Sequence, residues 1–462
     1  MTETTVADNP TPTPGNRQYD CHDFKDIAMQ RNVMLLVGNG FDIAVLKMLE
    51  SKNRESDDAA KPGGDTQTVS KSTSYTAFYD FIIASNSRSK HSREHEKLVK
   101  ETNVLFQKMT ELKKKNDEAD PGDTTYENWS DFENIIEDFF IDEELAYREQ
   151  KRVEDDLTEI QQAFTAFLND VVDTDVLNDL DSLAQAHSWA TRTYARFISD
   201  IHEEDFPRFH FPVNVAHKDL LNYTVINFNF TSLLDNYLYL DKGQFEPHPH
   251  WSSDANFWFY RNERGYSHYK PRILMNEETF CSTYMMSQIY HPHGQQQIPR
   301  SLLFGVSGDD EAAKSGSHFQ MEKAYWSQAP RNFEKKINET ELFIVFGSSL
   351  GKSDHWWWRH ILKALHDGAE LIIYKWGKGD HASVSKKIRD DFVDQYFDER
   401  YFQSNNDDGD MDVDFSAIKD ELKERIFVVN YTDNTSISAF GFSEQPFTPG
   451  ARLQSLSPVE VK

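Results

Sequence analysis

Short apolar runs punctuate the chain at wide intervals. Residues 33–37 read VMLLV and stop at Gly38, and further runs stand at Val225–Phe228, Leu302–Phe304, Leu342–Phe346, Leu371–Tyr374 and Ile426–Val429. Such runs, rich in β-branched and aromatic residues and several of them closed by Gly, Asn or Ser, predict strands buried on both faces. Elsewhere the period changes. Leu157, Ile160, Phe164, Phe167 and Val171 recur at steps of three and four, which lines them along one helix face. The charged stretch 90–119 predicts a helix with a solvated face, followed by a loop at Asp120–Thr125. Residues 354–367 predict another helix.

Strands alternating with helices predict an α/β fold on a parallel sheet flanked by helices. The sheet core is drawn from 29–50 and 204–442, and the helical block 74–203 is expected to insert as a lobe beside it. Residues 51–73 are polar, with Gly63 and Gly64, and predict a long surface insertion. Residues 1–28 and 443–462, rich in Pro, Thr and Ser, predict disordered tails.

Composition narrows the function classes. The 462 residues are 38% hydrophobic and 13% aromatic, enough for a large core. Asp and Glu (77) exceed Lys and Arg (49), giving a charge of −28 that opposes broad nucleic-acid binding. Cys21 and Cys281 are too few for a disulfide framework or a four-thiolate zinc site. No run of 18 apolar residues and no secretory leader is present, so no membrane partner is expected and the cytoplasm is the expected location. In the acidic loop 404–414, Asp410, Asp412 and Asp414 with Glu421 have calcium-loop spacing. Phe415, however, stands where the sharp turn needs Gly, so no calcium site is expected.

Four constellations could carry chemistry. After the first strand comes Gly38-Asn39-Gly40-Phe41-Asp42, where glycines permit a sharp turn and a close approach to a phosphate. Asp42 could cap the following helix or meet a ribose hydroxyl. The second is Asn227-Phe228-Asn229-Phe230-Thr231, which puts polar side chains at a strand's C-terminal end. The third is His291-Pro292-His293-Gly294, where an imidazole could serve as general base. His248-Pro249-His250 is a similar pair, but no carboxylate or Cys at ligand spacing accompanies either, so no metal is expected. The fourth is Gly347-Ser348-Ser349-Leu350-Gly351-Lys352-Ser353-Asp354, a strand-to-helix loop that could hold a phosphate or ribose. It lacks the spacing of a Walker loop, and its helix is expected to be capped by Ser353 or Asp354. Trp356, Trp357 and Trp358 then open the helix and are expected to pack it onto the sheet.

Taken in order, these motifs resemble the bacteriophage abortive-infection family AbiH. The resemblance rests on LLVGNGFDIA (35–44), SYTAFYDFI (74–82), NWSDFENIIED (128–138), VINFNFTSLLD (225–235), PHG (292–294) and IVFGSSLGKSDH (344–355), and covers roughly 33–375. Ser348 stands where the family phrase has His, and Phe230 where it has Tyr. The family in turn resembles the sirtuin-like fold, which implies NAD as substrate or ligand and a single domain over 29–442. By that resemblance Asn229 positions ribose or water and His293 is the catalytic base. Gly38, Asn39, Gly40, Phe41, Asp42, Thr231, Gly347, Ser348 and Ser349 would bind the nucleotide. Thr231 replaces the sirtuin Asp, and two cysteines cannot form the sirtuin zinc ribbon, so protein deacylation is not expected.

The implied activity is hydrolysis of the nicotinamide–ribose bond in an antiphage protein. The alternatives are a non-catalytic nucleotide sensor and a nuclease or nucleic-acid-binding effector. A phage-derived trigger and a homo-oligomer are the other partners the resemblance admits. Trp129 and Glu133 lie one helical turn apart in the lobe and are assigned no chemistry.

Overall fold

The computed structural model describes residues 29–60, 71–89, 97–119, 133, 135–136, 147–212, 214–215, 219–240, 257–258, 284–305, 323–402, 413–433, 435 and 437–444. Residues 1–28, 61–70, 90–96, the 120–125 loop, Trp129, the 248–250 histidines, both cysteines, the 404–412 loop and 445–462 lie outside these residues; of the expected C-terminal tail, Ser443 and Glu444 are described, and Ser443 O accepts from Trp189 Nε1.

Six strands form one sheet: β1 (Met29–Val37), β2 (Asp219–Asn227), β3 (Tyr284–Tyr290), β4 (Leu342–Phe346), β5 (Glu370–Trp376) and β6 (Ile426–Tyr431). They lie in the order β3-β2-β1-β4-β5-β6, and every pairing is parallel. This is a Rossmann-like α/β sheet, as the alternating pattern predicted.

Side-chain alternation along the strands builds two cores. Val33, Leu35, Val37, Tyr223, Val225, Ile344 and Phe346 bury one face against α1 (Gly40–Ala60), α4 (Tyr147–Val171) and the helices around them. Met34, Leu36, Ile226, Phe343 and Val345 bury the other against α9 (Ala329–Asn338), α10 (His355–His366) and α11 (His381–Tyr396). Strands covered on both faces must be apolar at successive positions, which is why β1, β4, β5 and β6 were legible as runs.

The lobe contributes α2 (Tyr75–Ser89), α3 (Val104–Glu118), α4, α5 (Thr174–Ala186) and α6 (Trp189–Arg196). Leu157, Ile160, Phe164, Phe167 and Val171 are all buried, as their spacing predicted. Phe164 meets Phe78 of α2, and also Phe230 and Phe304 beyond the ends of β2 and β3. No helix among the described residues is long and apolar enough to cross a membrane.

Three expectations are corrected. Leu302–Phe304 is not a strand: Leu302 and Phe304 are buried in a loop. The missing strand is β3, read past because Ser287 and Gln288 interrupt its apolar pattern at the sheet edge, where Met286 is 40% exposed. Residues 51–60 are not part of the insertion but the last turns of α1, in which Lys, Arg, Glu and Ala are good helix formers. Asp414 caps α12 (Phe415–Glu424) by accepting from the Ala417 N–H, which occupies a carboxylate the calcium-loop spacing had drawn attention to.

Candidate functional site

The strand order reverses between β1 and β4, and at such a switch point ligands bind beyond the carboxyl ends of the strands. Val37 is in register with Asn227 on one side and Phe346 on the other, and Ile226 with Tyr290. The 38–42, 228–232, 291–294 and 347–351 loops therefore start from adjacent positions on one rim, and Phe228 N–H donates to Val37 O at 3.0 Å.

The glycines of the first and fourth loops hold those loops against each other. Gly38 and Gly40 N–H donate to Phe346 O and Gly347 O, each at 2.9 Å, and Phe41 N–H donates to Gly38 O at 3.0 Å. A Cβ on Gly40 would lie 2.8 Å from Gly347 Cα, and one on Gly347, whose φ is +64°, 2.7 Å from Phe41 N. The expected phosphate cradle thus loses three amides to the fold itself. The Phe41 side chain is buried core, edge-on to Tyr237, Phe346 and Phe440. Asn39 is exposed and its amide exchanges hydrogen bonds with Thr73. Ser348 Oγ accepts from Leu350 N–H, and Ser349 is exposed.

Asp42 does not cap α1. It is fully buried, and its Oδ2 accepts from Thr231 Oγ1 at 2.6 Å while Oδ1 has no partner. Burial pushes its carboxyl up to about 7, opposed by the Thr231 hydroxyl and aided by the nearby Asp235 charge. A carboxyl raised from 3.8 to about 7 favours the fold most below pH 3.8, and that contribution is lost as pH rises through 7. Between pH 5 and 8 the wild-type chain should lose about 3 kcal/mol of stability that Asp42→Asn retains, at about 1.36 kcal/mol per pH unit. Denaturant unfolding at the two pH values measures this, and equal declines would contradict the buried carboxyl. Asp200, raised to about 6 chiefly by burial, adds a smaller decline common to both proteins.

The second and third loops carry two histidine–carboxylate pairs that face different elements. His291 Nε2 lies 3.0 Å from Asp235 Oδ1 of α7 (Leu233–Leu238), and its Nδ1 lies 3.4 Å from Asn229 O. Asp235 Oδ2 accepts from Asn227 Nδ2, and Asn227 Oδ1 from Asn229 N–H. Both ring nitrogens of His291 face acceptor oxygens of the chain, so neither is turned to an open position. His293 is 4% exposed and stacks on Phe228 with ring centroids 5.0 Å apart. Its Nε2 lies 3.1 Å from Asp354 Oδ1, a charge contact without aligned hydrogen-bond geometry, and among the described residues no hydrogen-bond partner reaches Nδ1. Asn229 is 3% exposed, and neither Oδ1 nor Nδ2 of its amide has a partner.

Asp354 occupies the N-cap position of α10, but its side chain makes no cap hydrogen bond. It contacts His293 and, at 3.6 Å, Lys323 Nζ of α8 (Lys323–Trp326); Lys323 in turn pairs with Glu133 of the lobe. Burial alone would raise the Asp354 carboxyl, but the Lys323 and His293 charges outweigh it and hold it well below the usual carboxylate range. Sequence reading missed Lys323 and Glu133 as partners and took Asp354 only as a cap. The Gly-x-x-Asp phrase at 351–354 was the available signal for Asp354, and nothing in the pattern around 323 singled out Lys323. Trp357 and Trp358 are buried and meet Phe228 edge-on, the packing role expected of them.

A cleft of about 350 Å³ lies at the opposite rim of the sheet, between His210–Pro212 and the starts of β4 and β5. Its buried Glu370 accepts from His210 and Phe211 N–H at 2.9 and 2.7 Å, so this carboxylate is already satisfied by the chain. Among the described residues, Asp42 Oδ1, both amide atoms of Asn229 and Gln296 Oε1 are orphaned at the carboxyl rim.

No curated protein and no solved structure matches the chain. The family model described as bacteriophage abortive infection AbiH matches residues 68–375, which takes in three of the four rim loops and the lobe. The Gly38–Asp42 turn lies outside that match, yet it packs on Gly347 within it. On this match over most of its length, the chain belongs to the bacteriophage abortive infection AbiH family.

Proposed function

We propose that this abortive-infection protein binds NAD at the carboxyl rim of its sheet and hydrolyses the bond between nicotinamide and ribose. The observation that carries the reading is the Asn229 amide, buried with both ends unpartnered on the loop whose Phe228 ring stacks on His293. A buried amide left without partners costs about 1–3 kcal/mol, so its retention in a native fold argues for a ligand that satisfies it. A ribose offers hydroxyls that donate to Oδ1 and accept from Nδ2. The unpartnered Oδ1 of Asp42 and Oε1 of Gln296 supply further polar atoms on loops of the same rim.

NAD as substrate would supply a glycosidic bond whose cleavage builds positive charge on the ribose. Asn229 would orient the ribose or the attacking water, and His293 Nδ1 would take the proton, a step typically worth about 10²–10⁴ in rate. Phe228 and Phe230 would shield the site from bulk water. The three amides engaged within the fold place the burden of recognition on side chains more than on a backbone phosphate cradle.

Purified protein incubated with NAD, alone and with phage lysate, should release nicotinamide in at least one condition. Retained NAD binding with no release in either condition would replace hydrolysis by a sensing role. Lack of binding in both would remove the NAD reading.

A further inference from the structure

His293 ends a chain of alternating charges that begins outside the sheet. Glu133 of the lobe pairs with Lys323, Lys323 Nζ is 3.6 Å from Asp354 Oδ1, and the same oxygen is 3.1 Å from His293 Nε2. Lys323 is 3% exposed, a burial that lysine tolerates only when paired. Among the described residues, the other ionisable groups near Asp354 are Tyr396 of α11, whose hydroxyl donates to Leu350 O, and His355, whose ring lies 5.1 Å from that of Tyr396.

Resting on the NAD reading for its ligand but not for its geometry, the inference concerns who controls the base. We propose that Asp354 and Lys323 are positioning residues that fix His293 with Nε2 protonated and Nδ1 turned to the ligand. Glu133 extends the same chain into the lobe, so that the lobe tunes the proton affinity of Nδ1. Three elements far apart in sequence (the lobe, α8 and the start of α10) meet at a single carboxylate oxygen and its two neighbours. A surface ion pair would need no such convergence. A carboxylate 3.1 Å from Nε2 favours the tautomer that carries its proton there. A cation beside that carboxylate keeps it ionised, and an anion beside the cation limits its repulsion of a protonated ring.

The test is the tautomer and titration of His293 in the full chain, by NMR with ¹⁵N-labelled histidine, the resonance being identified by its loss in His293→Gln. Wild type should show Nε2 protonated and Nδ1 as the titrating nitrogen. Asp354→Asn should abolish that preference. Lys323→Met removes a positive neighbour and should move the midpoint up by about half to one pH unit; Glu133→Gln removes a negative one and should move it down by a similar amount. Lys323→Arg should restore the wild-type midpoint. Loosening of the fold would move both charge variants the same way, so shifts of opposite sign separate positioning from structural damage. An unchanged tautomer in Asp354→Asn, or shifts of one sign, overturns the proposal. Should Lys323→Met fail to fold, Glu133→Gln and Asp354→Asn decide alone. Expected titrations in a protein that neither binds nor cleaves NAD would retire the NAD reading and leave the positioning chain standing. Cleavage with unaltered titrations would do the reverse.

Discussion

Gly294→Ala is expected to destabilise the chain by about 2–5 kcal/mol and to remove ligand binding at the rim. Gly294 has φ +90°, and a Cβ there would lie 2.0 Å from Ser301 O and 2.4 Å from Ser301 C, which are backbone atoms and cannot swing aside. The left-handed backbone costs an alanine about 1–2 kcal/mol, and relieving the overlap adds the roughly 1–3 kcal/mol typical of overpacking. The turn is pinned on both sides: Leu303 N–H donates to His293 O at 2.8 Å, Gln295 N–H to Ser301 Oγ at 3.0 Å, and Gln296 N–H to Phe230 O at 2.8 Å. Moving Ser301 away therefore shifts His293 off Phe228. Gly368→Ala is the control, because its φ is +116° but nothing lies within 4 Å of the added Cβ. It should cost only the backbone share. Denaturant midpoints for the two variants measure the difference, and equal losses would mean the turn is not held as described.

The second large effect concerns turnover. His293→Ala and Asn229→Ala should each lower nicotinamide release by about 10²–10⁴; His293→Ala also leaves the buried Asp354 with one partner fewer and should lower the unfolding midpoint, whereas Asn229→Ala should raise it. The last sign follows from the orphaned amide: its removal relieves a desolvation cost that only a ligand offsets. His291→Ala is the informative contrast. Its ring holds Asp235 and the Asn229 carbonyl, so its loss should lower stability as well as activity. Should His293→Ala keep wild-type release while His291→Ala abolishes it, the assignment of the base passes to the other histidine.

Much of the sheet was legible because doubly covered strands must be apolar throughout. Val33–Val37 and Leu342–Phe346 announced themselves, and the glycines after each marked where the rim begins. β3 escaped because an edge strand tolerates Ser287 and Gln288. Leu302–Phe304 misled because a loop under a lobe helix can bury as much apolar surface as a strand, here against Phe164 and Phe230. The site divides the same way. Asn229 and His293 were named by the resemblance, on short polar stretches just beyond apolar runs. Lys323 and Glu133 carried no such mark: a charge reads as solvated until the fold supplies its partner, and theirs come from 190 residues apart in the chain. The glycines were found for one reason and matter for another, because Gly40 and Gly347 make room for each other's backbone before any ligand.

Calorimetric titration of NAD into the wild-type chain and into Asn229→Ala bears most directly on the central claim, that the orphaned amide at the carboxyl rim awaits a nucleotide. Saturable one-site binding to wild type, weakened at least tenfold in Asn229→Ala with the fold intact, is the expected result. Equal affinity of the two proteins, or no heat from either, would contradict it.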